Sequence, residues 1–279
     1  MARRTKRKVL ALLPALALAV TAAACAEEIQ SGGSSKPGDK VELLKDGELR
    51  TCTHLPYAPF QFSQGSKTVG FDVDLVDQVG KDLGVKQTIN DTSFEGIESG
   101  QSLNNAQCDV AAAAMTITPE RQKVMDFSDP YFDADQALLV LKDSGIDSLE
   151  QLRGKTLGVQ QGTTGEEYAE KNKKKYGYEV KQYEDLALEQ SAVLTGQIEA
   201  GINDNGVHYN FVKQNPKTVV SAEFDTGEKY GVAVRKGNGA LRGKINEVLK
   251  KIREDGTYNK IYQKWFGKQP GSGQSPDKP

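Results

Sequence analysis

Short strand patterns alternate with helix patterns over residues 48–266, and this alternation limits the folds open to the chain. The strand patterns are Glu48–Thr53, Asp109–Met115, Ala137–Leu141 and Thr156–Gln160. The helix patterns follow Asp72, begin at Ser148 and at Gly162, and form two apolar stripes, Leu241–Ile252 and Tyr258–Phe266. Such alternation predicts α/β units with parallel sheets.

Glycine and threonine mark two of the helix boundaries. We expect Gly84 to end the helix that follows Asp72. Gly256 and Thr257 separate the two C-terminal stripes, and Thr257 is expected to be the N-cap of the last helix. Sequence repeats of 20–50 residues are absent, which excludes a solenoid.

Composition narrows the class of protein further. The 279 residues are enough for one large or two medium domains with buried cores. With 37% hydrophobic and 27% charged residues, the chain is neither collagen-like nor largely disordered. A formal net charge of -2 leaves no basic footprint for nucleic acid.

The N-terminus has the three parts of a secretory signal peptide. Five basic residues lie within Arg3–Lys8, the apolar run Val9–Val20 follows, and small residues precede Cys25. The alternative is a short membrane anchor, but a run of 12 residues is too short to span a bilayer. Without residues 1–24, which hold five basic and no acidic residues, 31 basic and 38 acidic residues remain, a formal charge of -7.

Ala22–Cys25 resembles a bacterial lipobox, in which the signal is removed before a cysteine whose thiol then carries lipid with acyl chains such as palmitate. Ala22 departs from the leucine that is commonest at that position, and an ordinary cleaved signal is the alternative. The next residues, Glu27–Lys40, are rich in glycine and serine and predict a flexible tether. We therefore expect anchoring to the outer face of the cell membrane through Cys25.

Seven motifs occur in a fixed order along the rest of the chain. They are Tyr57–Phe60, Gly70–Leu75, Met115–Arg121, Phe127–Tyr131, Gly158–Thr164, Asp255–Tyr258 and Trp265–Gly267. In this order the motifs resemble those of the extracytoplasmic solute-binding proteins of family 3, which serve polar amino-acid ABC transporters. The resemblance covers about residues 43–267.

The resemblance implies a fold and a set of boundaries. The fold is α/β, a two-lobe periplasmic-binding-protein-like (type II) fold whose hinge consists of two crossing segments. Residues 1–24 would be the signal peptide and 25–42 the lipidated tether. Lobe 1 would hold residues 43–134 and 227–267, lobe 2 residues 135–226, and residues 268–279 would form a disordered tail. The crossing segments would lie near Tyr131–Ala134 and Gly227–Tyr230.

The resemblance also implies a binding site for a zwitterionic amino acid. Arg121 matches the family's carboxylate-binding arginine, whose planar fork suits bidentate contact. Thr116 and Thr164 would add hydroxyl groups to the same carboxylate. Asp204 matches the acid that binds the ammonium, and the backbone carbonyl of Ala114 would assist it.

The side chain of the ligand would lie between aromatic walls formed by Tyr57 and Phe94. His54 replaces an aspartate that relatives binding basic amino acids often carry at this position. Because a histidine pairs poorly with a cation, we expect a neutral or acidic amino acid, such as glutamine or glutamate, in preference to a basic one. The alternative is that His54 forms hydrogen bonds within its own lobe.

Two cysteines remain after lipidation of Cys25. Cys52 lies on the first predicted strand, and Cys108 begins the strand expected beside it, so a disulfide can form outside the cytoplasm. The alternative is two buried free thiols. The two histidines and scattered cysteines show no metal-ligand spacing, and we expect neither a metal nor another cofactor.

These expectations together describe a monomeric receptor that captures an amino acid and delivers it to ABC permease subunits, without covalent chemistry. A sensor that reports the ligand to a membrane signalling partner would have the same binding body. An enzyme of the dehydratase type would need a positioned acid or base. Glu95 and His54 are the candidates for that role, and neither belongs to a recognisable motif.

Overall fold

The computed structural model describes residues 35–270 of the chain. The predicted signal peptide, the predicted lipid attachment site Cys25 and the first part of the predicted tether lie outside the described residues, as does the tail beyond residue 270. Within the described part, no helix combines the length and the apolar character needed to cross a membrane.

Strands and helices alternate through most of the described chain, and each class is numbered in chain order. The strands are β1 Glu48–Thr53, β2 Phe62–Gln64, β3 Lys67–Val69, β4 Lys86–Asp91, β5 Val110–Ala111, β6 Met125–Phe127, β7 Phe132–Leu141, β8 Thr156–Gln160, β9 Glu179–Tyr183, β10 Ala200–Asp204, β11 Thr218–Tyr230 and β12 Ala233–Arg235. The helices are α1 Phe71–Leu83, α2 Phe94–Glu98, α3 Gln101–Asn104, α4 Pro119–Val124, α5 Thr164–Tyr176, α6 Leu186–Leu194, α7 Asn205–Gln214, α8 Gly239–Glu254 and α9 Thr257–Phe266. A 3₁₀ turn covers Leu149–Leu152.

Two five-stranded sheets form the centres of two lobes. The first sheet has the order β4-β1-β5-β12-β6, and the second has the order β11-β7-β10-β8-β9. In the first sheet β1 is parallel to β4 and β5, whereas β12 is antiparallel to β5 and β6. In the second sheet β8 is parallel to β9 and β10, whereas β7 is antiparallel to β10 and β11. The two-lobe α/β fold is confirmed. The expected parallel pairs occur in both sheets, and each sheet also contains antiparallel strands.

The antiparallel strands arise because the chain passes between the two sheets twice. β7 enters the second sheet, β11 leaves it, and the two strands pair along their length from Thr218↔Leu141 to Tyr230↔Phe132. The predicted crossing segments are the ends of these strands, where Glu228 pairs with Ala134. The predicted lobe boundaries fall inside β7 and β11 and remain a prediction.

An aromatic cluster fixes these crossing ends in the core of the first lobe. The Phe60 ring lies 4.9 Å from that of Phe132 and 5.3 Å from that of Tyr230, measured between ring centroids. Phe71 and Phe266 belong to the same cluster. Gly70 permits this packing, because a Cβ atom there would lie 2.0 Å from the carbonyl oxygen of Phe60. Burial of such rings is a major stabilising contribution.

Several element boundaries differ from the sequence predictions. The strand predicted over Asp109–Met115 contains only Val110 and Ala111. Ala114, within the predicted range, has a φ of 48° and is not in the extended conformation. The last helix has Gly256 as its N-cap, with Thr257 as its first residue. Gly84 ends α1 in the left-handed conformation, which confirms that prediction.

Part of the predicted tether is not separate from the folded body. The backbone N–H of Ser35 donates to the carbonyl oxygen of Gly237 at 2.9 Å, and the N–H of Gly239 donates to that of Ser35 at 3.1 Å. Ser35 therefore lies against the start of α8. The tether prediction is wrong for these residues, since backbone pairing holds them on the first lobe.

The structure joins Cys52 to Cys108 in a disulfide, with Cα atoms 5.6 Å apart. Cys52 lies on β1, and parallel pairing of β1 with β5 places Cys52 opposite Ala111. Both cysteines are buried, and they are 56 residues apart in the sequence. The bond therefore links β1 to the segment that immediately precedes β5, the central strand of the first sheet.

We expect replacement of both cysteines by alanine to lower the free energy of unfolding by about 2–4 kcal/mol, because the open chain gains conformational freedom when unfolded. Denaturant titration followed by circular dichroism measures this change. A reducing agent should destabilise the wild type by a similar amount and leave the double variant unaffected. Equal unfolding free energies with and without the bond would contradict the prediction.

Candidate functional site

One cavity collects all the residues that the sequence analysis assigned to binding. It contains about 310 Å³ of space not filled by atoms, part of it open to solvent. The expected residues that line it are His54, Tyr57, Phe94, Ala114, Thr116, Arg121, Thr164 and Asp204. Gln61, Ala113, Gln160 and Thr163 line it as well and were not foreseen.

Arg121 supplies the positive charge of the cavity. It lies on α4, whose N-cap Thr118 accepts a hydrogen bond from the Arg121 backbone N–H at 3.2 Å. The guanidinium donates to the carbonyl oxygens of Thr116 at 2.8 Å and of Gly162 at 2.9 Å. Its central carbon lies 5.5 Å from the centroid of the Phe94 ring. Arg121 is only 4% exposed, and this burial lowers its pKa, although an arginine remains charged at any working pH.

Two carbonyl contacts use only part of the hydrogen-bonding capacity of this guanidinium. An arginine has five N–H donors in one plane. Thr116 precedes α4, whereas Gly162 lies between β8 and α5, so the side chain bridges segments of both lobes. The arrangement can bind an anion between the two segments while the bridging bonds hold the guanidinium plane in place.

Asp204 supplies a negative charge at the end of β10. Its carboxylate accepts hydrogen bonds from the Tyr57 hydroxyl at 3.0 Å, from Gln136 Nε2 at 2.6 Å and from the Tyr230 hydroxyl. Burial, and after it the charge of Glu228, raises the pKa of Asp204 to about 7, while the hydrogen bonds act in the opposite direction. A cation bound beside Asp204 would favour its ionised form.

Glu228 is a functional candidate that the sequence analysis missed. Its Oε2 accepts hydrogen bonds from the hydroxyls of Thr116 at 2.8 Å and Thr164 at 2.7 Å. Its Oε1 accepts from Gln136 Nε2 at 3.1 Å, and the same amide nitrogen donates to Asp204. The position of Glu228 in a predicted crossing segment was the available signal, but only the fold brings its carboxylate to these hydroxyls.

These bonds change the role that the two threonines can take. A hydroxyl has a single proton, and in both Thr116 and Thr164 that proton is directed to Glu228. Each oxygen then has only lone pairs left and can accept a hydrogen bond. The expectation that both hydroxyls donate to a carboxylate is therefore wrong for this arrangement, in which they suit a cation.

His54 lines the cavity and has one defined hydrogen bond. Its Nδ1 lies 3.0 Å from the carbonyl oxygen of Thr92, which can only accept, so Nδ1 carries a proton. Nε2 is buried and has no hydrogen-bond partner. A neutral imidazole in this tautomer offers Nε2 as an acceptor. The intralobe contact and the cavity position, which the sequence analysis treated as alternatives, thus occur together.

The two aromatic walls are fixed in different ways. The single proton of the Tyr57 hydroxyl is shared between Asn203 Oδ1 at 2.7 Å and Asp204 Oδ2 at 3.0 Å, and both contacts hold this ring against β10. Phe94 begins α2 and packs against Arg121. Within residues 35–270, no group of three or more His, Cys, Asp or Glu side chains is placed to hold a metal ion.

We expect Glu228→Gln to lower the pKa of Asp204 clearly below 7, because the substitution removes the neighbouring negative charge. A ¹³C NMR titration of the Asp204 carboxyl measures this directly. Because the folded pKa of Asp204 exceeds its ordinary value of 3.8, this residue reduces stability as the pH rises from about 4 to about 7. In Glu228→Gln the folded-state pKa of Asp204 is lower, so this loss of stability should end at a lower pH.

Glu223→Gln provides the matched control for Glu228→Gln. Glu223 lies on the same strand, β11, but hydrogen-bonds the hydroxyl of Tyr209 instead of Thr116 and Thr164. Glu223→Gln should leave the pKa of Asp204 unchanged. An unchanged Asp204 pKa in Glu228→Gln would show that the two carboxylates do not interact.

Comparison with known proteins links this cavity to a family. Residues 49–268 match the family model described as bacterial extracellular solute-binding proteins, family 3. The chain is 35% identical over 271 residues to the ABC transporter glutamine-binding protein GlnH of Bacillus subtilis (strain 168), covering 94% of this chain and 97% of that protein. It is 32% identical to a probable histidine-binding protein of Neisseria gonorrhoeae, covering 95% and 97%.

Solved structures of amino-acid-binding proteins are also similar to this chain. The structure of an ancestral arginine-binding protein bound to arginine superposes with a TM-score of 0.75 and is 45% identical in sequence. The superposition covers 79% of this chain and 99% of that structure. At this coverage the match extends over both lobes.

Proposed function

Because the chain belongs to the bacterial extracellular solute-binding proteins of family 3, we propose that it binds a free amino acid between its lobes and delivers it to the permease of an ABC transporter. One observation carries the proposal. The cavity places a buried arginine, Arg121, and a buried aspartate, Asp204, on its walls. A zwitterion matches both charges at once.

The carboxylate of the ligand binds to Arg121 in this proposal. The planar guanidinium can form two parallel hydrogen bonds to a carboxylate, which adds geometric selectivity to the attraction between charges. Residues at the start of α5 face the same cavity, and helix N-termini favour anions. Thr164 acts here through its place at the helix start, since its hydroxyl proton is directed to Glu228.

The ammonium of the ligand binds beside Asp204. The carbonyl of Ala114 and the hydroxyl oxygen of Thr116 are the further acceptors that we assign to it. Glu228 supports this end of the site, because it directs the Thr116 proton away from the ligand. Repulsion between the carboxylates of Asp204 and Glu228 adds to the effect of burial in raising the pKa of Asp204. The positive charge of the ammonium would offset this repulsion.

The side chain of the ligand extends toward His54, Tyr57 and Phe94. A preference for acidic ligands conflicts with the Nε2 acceptor of His54, which would face the lone pairs of a carboxylate. A preference against basic ligands finds no support in relatives named for histidine and arginine. We therefore propose a ligand whose side chain has N–H donors, such as glutamine or arginine.

The location of the protein is part of the proposal. Secretion through the signal peptide of residues 1–24 and lipid attachment at Cys25 would hold the binding body at the outer face of the membrane. The acidic formal charge of the processed chain suits an exported protein. Capture between the lobes, followed by release to the permease, requires hinge motion at the crossing ends of β7 and β11.

We expect a thermal-shift screen of the twenty common amino acids to find at least one that stabilises the protein, since a ligand that binds only the folded state raises its stability. With that ligand, Arg121→Ala should weaken binding by roughly a hundredfold or more. Breaking a buried charge pair costs about 3–5 kcal/mol, and each 1.4 kcal/mol is about tenfold. Isothermal titration calorimetry measures the loss.

Lys123→Ala is the matched control for the Arg121 variant. Lys123 lies on the same helix, but its side chain is 71% exposed. Its removal should change the affinity by less than about twofold. No stabilisation by any amino acid, or an unchanged affinity in Arg121→Ala, would remove the assignment.

We expect the wild type to bind glutamine or arginine more tightly than glutamate at pH 8, and His54→Leu to reduce this difference by roughly three- to tenfold. The range corresponds to the loss of one hydrogen bond of about 0.5–1.5 kcal/mol. Competition binding with the three amino acids measures it. A tighter complex with glutamate in the wild type would show that His54 acts as a donor.

A further inference from the structure

Asp72 belongs to a sequence motif, Gly70–Leu75, that the proposed function leaves without a role. It is the second residue of α1 and is 1% exposed. Its Oδ2 accepts two hydrogen bonds, from the backbone N–H of Ala114 at 2.7 Å and from the hydroxyl of Tyr131 at 2.8 Å. A buried carboxylate is costly unless its contacts compensate. The two groups that donate to Asp72 therefore indicate what this residue does in the structure.

Ala114 has an unusual backbone conformation at a functional position. Its φ is 48°, and within residues 35–270 only Ala106 is a further non-glycine residue with a positive φ. At a positive φ the Cβ atom of an alanine makes unfavourable contacts with the backbone, which a glycine avoids because it has no Cβ atom. Ala114 lines the cavity, and its carbonyl is the acceptor assigned to the ammonium of the ligand. Unfavourable backbone conformations persist where the surrounding structure holds them.

We infer that Asp72 is a positioning residue, which holds the Ala114 peptide in its left-handed conformation and so sets the backbone acceptor for the ammonium of the ligand. The φ angle is the rotation about the N–Cα bond of Ala114. With the N–H held by Asp72 and φ positive, the Cα–C bond that carries the carbonyl has one direction, so only rotation about ψ is left to orient the carbonyl oxygen. This inference rests on the proposed function, since it concerns the same ligand.

The second contact of Asp72 connects this peptide to the crossing strands. Tyr131 immediately precedes β7, and its backbone N–H donates to the carbonyl oxygen of Tyr230 at 2.9 Å. One carboxylate oxygen thus contacts both the cavity wall and the segment where the chain passes between lobes.

The test uses the ability of glycine to adopt a positive φ without the steric cost. We expect Asp72→Ala to weaken binding of the amino acid found in the thermal-shift screen by tenfold or more, as measured by calorimetry. Ala114→Gly alone gives the reference affinity against which the double variant is compared. The double variant, Asp72→Ala with Ala114→Gly, should regain most of the affinity, because a glycine no longer depends on Asp72.

A purely structural role for Asp72 would give a different pattern. It would lower the melting temperature in Asp72→Ala, and Ala114→Gly would not restore binding. Absence of this rescue, or an affinity in Asp72→Ala equal to that of the wild type, overturns the inference. The wild type binds its amino acid in either case, so failure of this inference is distinct from failure of the proposed function.

Two further variants separate the two contacts of Asp72. Tyr131→Phe removes the hydroxyl and leaves the bond to Ala114, and it should change affinity by less than threefold. A loss as large as that in Asp72→Ala would assign the effect to Tyr131 and overturn the inference. If Asp72→Ala does not fold, Asp72→Asn replaces it. The side-chain amide oxygen of the asparagine is a weaker acceptor than the carboxylate, so the Ala114 N–H should exchange faster with solvent in the ligand-free protein. Unchanged exchange would contradict the inference.

Discussion

The free-energy cost of burying charged groups determines which polar groups surround Arg121 and Asp204 in the cavity. Arg121 and Asp204 are both nearly inaccessible to solvent, and such groups are tolerated only when hydrogen bonds or opposite charges compensate the lost hydration. Carbonyl oxygens of Thr116 and Gly162 accept from the arginine, whereas two tyrosine hydroxyls and an amide donate to the aspartate. These partners come from distant parts of the chain, so both lobes must be formed before the charges are satisfied.

The crossing strands connect this electrostatic arrangement to the core. β7 and β11 supply Gln136 and Glu228, which hydrogen-bond side chains that line the cavity. The same strands supply Phe132 and Tyr230 to the aromatic cluster of the first lobe. Tyr230 has both roles, because its ring packs in the cluster and its hydroxyl donates to Asp204. A displacement of these strands would therefore alter the core and the cavity together.

The polar groups of the cavity also control one another. Glu228 accepts the protons of two threonine hydroxyls, which leaves the hydroxyl oxygens as acceptors. Its charge raises the pKa of Asp204, so a cationic ligand group would relieve an existing repulsion. Specificity for a zwitterion in the proposed function thus arises from the whole hydrogen-bond network as well as from the two residues of opposite charge.

From the sequence alone, the α/β class, the helices α1, α5, α8 and α9 and several strands could be predicted, because apolar periodicity and glycine stops act locally. Glu48–Thr53 and Thr156–Gln160 form strands with the predicted limits. The resemblance to a family indicated Arg121 and Asp204, and both line the cavity. Local pattern could not reveal the left-handed Ala114, the contact of Glu228 with two threonines or the antiparallel strands. Those features depend on segments far apart in the chain, and only the tertiary structure decides which hydroxyl, carboxylate and backbone N–H lie within hydrogen-bonding distance.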